Sequence, residues 1–129
     1  MIHITPLYAA ASGVMVVGMA AYISRLRGQL HVGIGDGGAK LLQRAIRVHG
    51  NFTEFVPLAL LLLLLAEVQG APPLVTHALG ASLMVARITH AIGLYRSSGT
   101  SPGRFFGTAL TWTMIVANSG VCAFYALTQ

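Results

Sequence analysis

The chain has 129 residues, 55% hydrophobic and 9% charged, with eight Lys and Arg against three Asp and Glu for a net charge of +5. A soluble domain carries about 25% charged residues, so this composition excludes a water-exposed globular surface and indicates one integral membrane domain over residues 1–129. The basic residues sit beside apolar spans and do not alternate with aromatics, which fits membrane topology and argues against a nucleic-acid partner.

A bilayer core of ~30 Å needs about 20 helical residues, and four segments meet that length. The first is predicted at about 7–26, with Thr5 in the N-cap position and Pro6 in the first turn. No basic residue precedes its apolar run, so it reads as a retained span and not as a cleaved signal peptide. The glycines of "GIGDGG", residues 33–38, match a dinucleotide-binding spacing, but that motif works between a strand and a helix. Here it follows a membrane helix and reads as a turn. The second span is predicted at about 41–67, where "APP" at 71–73 stops it. The third is predicted at about 74–95 and the fourth at about 105–127.

The fold class is therefore all-α, an up-down four-helix bundle in the bilayer. Arg25, Arg27, Lys40 and Arg44 flank the 28–39 loop, and Arg96 and Arg104 flank the 97–103 loop. The positive-inside rule puts both loops in the cytoplasm and both termini on the opposite side. Small residues at Ala9, Gly13, Gly18, Gly80, Gly107, Ala117 and Gly120 are expected to serve close helix packing, chiefly inside the bundle. The one cysteine, Cys122, excludes an internal disulfide and a zinc site of several thiolates.

The foot of the second span, "RAIRVHGNFTEFVPLALLL", carries the chemistry. At about 100° per residue, Arg44, Arg47, Asn51 and Glu54 fall within roughly 80° of one another, and His49 points nearly the opposite way. Counting back from Glu67, Glu54 lies about 20 Å deep, Asn51 about 24 Å and Arg47 about 30 Å. Counting from Pro73, Arg87 is also about 20 Å deep, with His90 one turn nearer the cytoplasm. An ionisable group at that depth is a functional hypothesis by default. Depth predicts a Glu54–Arg87 pair, either as part of a site or as a polar clamp that only fixes packing. His49 and His90 at similar depth also leave a bis-histidine haem site as a remote alternative.

The spacing of Arg47, Asn51, Glu54 and Pro57 resembles the second-helix signature of the MAPEG family, membrane-associated proteins in eicosanoid and glutathione metabolism. "ARITHAIGLYR", with Arg87 and His90, resembles the family's third helix, and the likeness is to its small bacterial branch in an inner membrane. The resemblance implies a homotrimer with sites between subunits near the cytoplasmic face. It implies glutathione as cosubstrate, bound by Arg47, Asn51, Glu54, Arg87 and His90. It implies that Arg104 stabilises the glutathione thiolate for transfer to, or reduction of, a lipophilic small molecule arriving from the bilayer. The family also contains a non-enzymatic binding member, so a membrane ligand-binding or accessory protein with the same polar clamp is the alternative.

Overall fold

The computed structural model describes residues 2–97 and 99–128. Four helices follow one another: α1 Thr5–Leu30, α2 Lys40–Val68, α3 Pro73–Arg96 and α4 Pro102–Thr128. All four are long and apolar enough to cross a membrane, and no strand occurs among the described residues. Ser98, inside the predicted 97–103 loop, and the terminal Met1 and Gln129 lie outside the described residues.

The helices outrun their predicted ends for local reasons. Leu26 is followed by one more turn of α1, which closes where His31 adopts a left-handed conformation and its N–H meets the carbonyls of Arg27 and Gly28. The glycine-rich stretch is a loop between two membrane helices. Gly35, Gly37 and Gly38 take positive φ of 71°, 56° and 77°, which glycine adopts without steric cost. The Gly38 N–H bonds Asp36 Oδ1 at 2.9 Å. Helix α4 starts three residues earlier than predicted. Pro102 supplies a preset φ for the first turn, and the Ser101 hydroxyl accepts the Arg104 N–H at 3.3 Å as an N-cap.

The expected cap at Thr5 is not the one that forms. Thr5 lies inside α1, Ile4 takes the cap position, and no side chain of the segment caps it. The N–H groups of His3, Ile4 and Thr5 instead donate to the Glu67 carboxylate, at 2.7 Å each. Glu67 belongs to the last turn of α2, so a carboxylate from one helix end neutralises the positive end of its neighbour. Charge-assisted bonds of this kind are each worth about 1.5–3 kcal/mol. Glu67→Gln keeps the shape but loses the charge and one acceptor. It is expected to lower stability in detergent by about 2 kcal/mol, read as a fall in melting temperature, whereas Glu67→Asp falls short of the three amides and loses nearly as much.

Helices α2 and α3 form the centre. Helix α1 packs on both, α4 packs on both, and α1 and α4 do not touch. Phe52, Val56, Ala59, Leu83 and Met114 form the core at mid-depth, and Leu26, Leu42 and Ala45 form a second cluster toward the basic end. The small residues divide. Gly80 lies under the Tyr8 ring and Gly107 lies against Ala86 and His90, whereas Gly13, Gly18 and Gly120 face open space. Ala9 and Ala117 are exposed too. Packing within the bundle therefore accounts for two of the seven.

Candidate functional site

The polar stripe of α2 straddles the edge of the protomer. On the helical wheel Arg44 and Asn51 lie within about 20° of each other, Arg47 and Glu54 likewise, and the two pairs are offset by about 60°. That offset decides their partners. Arg44 and Asn51 turn inward to α3: Arg44 Nη1 donates to the Tyr95 carbonyl at 3.0 Å, and Arg87 Nη1 donates to Asn51 Oδ1 at 2.7 Å. Arg47 and Glu54 turn outward and pair with each other at 2.9 Å, with their side chains 59% and 48% exposed.

The predicted Glu54–Arg87 pair is thus replaced by two others. Asn51 and Glu54 are both within about one turn of the depth of Arg87, so depth could not choose between them. Direction chose: Asn51 is buried and Glu54 is not. Arg87 itself is only 3% exposed. Its guanidinium also donates to the Gly107 carbonyl at 3.2 Å and to the Thr111 hydroxyl, and it stands over the Phe55 ring, 5.8 Å from the centroid. Arg87 ties α2, α3 and α4 together through these bonds. Thr111 was missed in the sequence. Its signal is modest: a hydroxyl one turn beyond a glycine, on the α4 face that meets an arginine-bearing helix.

The rest of the site depends on how closely α3 and α4 approach. A methyl group on Gly93 would stand 2.5 Å from the Arg104 backbone nitrogen, and one on Gly107 would stand 2.6 Å from the His90 nitrogen. The Ser101 hydroxyl donates to the Gly93 carbonyl at 3.1 Å and locks the start of α4 to α3. Arg104 is held in this corner with its Nη1 on the Gly99 carbonyl at 2.8 Å. His90 is buried beside it, within electrostatic range of Arg87, Arg104 and Arg47. Tyr95, next to the buried Leu94, turns its ring to Tyr22 of α1, 5.8 Å away. His49 is half-buried on the other flank of α2. No group of three or more His, Cys, Asp or Glu among the described residues could hold a metal ion.

Beside Arg104 opens a cavity of about 410 Å³ lined by Ser101, Phe105, Thr108 and Trp112. Phe105 and Trp112 are largely exposed on the lipid-facing side of α4. The arrangement is an apolar recess that ends at a cation, at the basic end of the bundle.

Comparison with known proteins agrees over nearly the whole chain. The model of the MAPEG family matches residues 5–124. Inner membrane protein YecN of Escherichia coli strain K12 is 35% identical over 119 residues, covering 89% of this chain and 89% of that protein. The protein of the same name from Escherichia coli O6:H1 strain CFT073 matches to the same extent.

Proposed function

This chain belongs to the MAPEG family, and on that premise we propose that it is a glutathione-dependent transferase or peroxidase of a bacterial inner membrane, with its basic loops in the cytoplasm. The observation that carries the reading is the outward-facing Arg47–Glu54 pair, whose carboxylate lies about 20 Å from the far end of α2 by helical rise. An ion pair facing lipid is costly, so this face is built to be covered. A second subunit covers it in the trimer that the family resemblance implies, and glutathione occupies the polar space left between them. The tripeptide offers two carboxylates for Arg47 and its neighbours and an ammonium group for Glu54. Asn51 and His90 border the same space, while Arg87 holds Asn51 in place and does not bind the tripeptide itself.

The chemistry follows from Arg104. Glutathione is mostly thiol at neutral pH, and a fixed cation near sulfur raises the thiolate fraction. The N-terminal end of α4 adds a positive partial charge at the same place. In transfer, the thiol proton passes to water, sulfur forms a bond to an electrophilic carbon, and the leaving group departs with the electron pair. With a lipid hydroperoxide, sulfur takes the distal oxygen and the alcohol leaves. A second glutathione then yields the disulfide and water. The recess at Phe105 and Trp112 admits the lipophilic partner from the bilayer.

Calorimetry and ultraviolet thiolate absorbance on detergent-purified protein test the reading together. Wild-type protein is expected to bind glutathione and show the thiolate band. Arg47→Ala is expected to weaken binding at least ~10-fold, the loss of a charged bond. Failure of wild type to bind glutathione refutes the proposal. Binding without a thiolate band or turnover assigns the chain to the non-catalytic, ligand-binding alternative.

A further inference from the structure

The face of α4 that lines the recess carries a row of three side chains spaced four residues apart: Arg104, Thr108 and Trp112. Phe105 and Ala109 stand beside them and make the rest of the helical wall apolar. The row passes from cation to hydroxyl to indole with distance from the basic end. Arg104 commits its Nη1 to the Gly99 carbonyl in the loop before the helix. The guanidinium is thereby drawn away from Thr108, and about 5 Å of wall, one helical turn, separates the two residues.

The hydroxyls of α4 supply the second observation. Thr111, Ser119 and Thr128 each return theirs to the carbonyl four residues back, at 2.7, 2.8 and 2.9 Å. That bond satisfies a hydroxyl where water is scarce. Thr108 and Thr113 form no hydrogen bond among the described residues. Thr113 is exposed and does not line the recess, whereas Thr108 is half-buried in its wall. The other hydroxyls at the recess are Ser101, already engaged with the Gly93 carbonyl and the Arg104 N–H, and Thr100, exposed in the loop. Thr108 is thus the hydroxyl within the helix that is free to meet a ligand there. Without a partner against apolar walls it carries a desolvation cost that a ligand oxygen offsets.

We infer that Thr108 is a specificity-determining residue of this recess: its hydroxyl donates a hydrogen bond to an oxygen of the lipophilic substrate and so selects hydroperoxides over halides of similar bulk. The inference rests on the glutathione reading for its chemistry and on the recess alone for binding. When sulfur held at Arg104 takes the distal oxygen of a hydroperoxide, the O–O bond breaks and its electron pair goes to the proximal oxygen. The proton that the thiol gave up to water returns to that oxygen, and the alcohol leaves. Negative charge develops on the proximal oxygen during this step, and a donor fixed one turn from the cation stabilises it. Thr108 occupies that place. An alkyl chloride loses its leaving group as a stable anion and gains far less from the same donor.

Trp112 is the one tryptophan of the chain and lies in the same wall, so its fluorescence reports occupancy of the recess. Titration of the detergent-purified protein with cumene hydroperoxide, and with cumene as the same skeleton lacking the oxygens, needs neither glutathione nor turnover. Comparing variants in one detergent cancels the partition of each ligand into micelles. Thr108→Val keeps the shape and is expected to weaken cumene hydroperoxide about fivefold, the scale of one hydrogen bond, while leaving cumene unchanged. Thr108→Ser should retain most of the hydroperoxide affinity, and Thr113→Val should alter neither ligand. In turnover with glutathione, Thr108→Val should slow reduction of cumene hydroperoxide about 10-fold and leave transfer to benzyl chloride within about twofold. An equal fall for both ligands, or for both reactions, makes Thr108 a packing residue and overturns the inference. So does unchanged hydroperoxide affinity in Thr108→Val, or a loss in Thr108→Ser as large as in Thr108→Val. Wild-type protein that does not bind glutathione refutes the proposed function instead, and the titration then decides the role of Thr108 by itself.

Discussion

Asn51→Leu is expected to be among the most damaging single changes in the chain, lowering stability by about 3 kcal/mol. The reason is the charge it strands. Arg87 is nearly fully buried, and its acceptors are Asn51, the Gly107 carbonyl and the Thr111 hydroxyl, with no carboxylate among them. Leucine removes one acceptor and cannot replace it, so a guanidinium whose Nε already lacks a partner stays in the low-dielectric interior with a further donor unmet. Arg87→Met removes the charge itself and leaves only neutral groups to find new partners, at about 1–3 kcal/mol. The double variant should therefore be more stable than Asn51→Leu alone. Thermal unfolding in one detergent, across the two single variants and the double, measures the coupling. Purely additive losses would show that the two side chains do not interact. Glu54→Gln combined with Arg87→Met should be additive, because the Glu54 carboxylate pairs with Arg47 and not with Arg87.

Arg104→Ala carries the largest expected effect on activity. On the proposed seating of glutathione by the α2 residues, loss of Arg104 is expected to change binding only a few-fold. It should remove the thiolate band and slow turnover with a model electrophile by about 10²-fold, the scale for losing a preorganised electrostatic contact. Arg104→Lys keeps the charge and loses the planar fork that also holds the Gly99 carbonyl, so intermediate turnover is expected. Steady-state kinetics beside glutathione titration separates the two quantities. Unchanged turnover in Arg104→Ala would remove this residue from the site, leaving it as a charge that orients the membrane insertion.

The sequence by itself determined the class, the four spans and the identity of the polar stripe. Each is a local or summed property. Hydropathy over some twenty residues marks a span, and a spacing of three and four residues puts Arg44, Arg47, Asn51 and Glu54 on one face whatever surrounds them. The early start of α4 was also legible in "SPGR", where a capping serine precedes a first-turn proline. Tertiary structure alone decided the rest. The acceptor for the α1 N-terminus is Glu67, more than sixty residues away, and no local pattern links it to Ile4. The stripe spans about 80°, and the placement of α3 alone sets which part of it faces inward. That placement sent Asn51 to Arg87 and left Arg47 and Glu54 on the outer face. The close approach of Gly93 to the Arg104 backbone and of Gly107 to His90 was likewise a tertiary outcome, because groups on separate helices meet only where the backbones permit it.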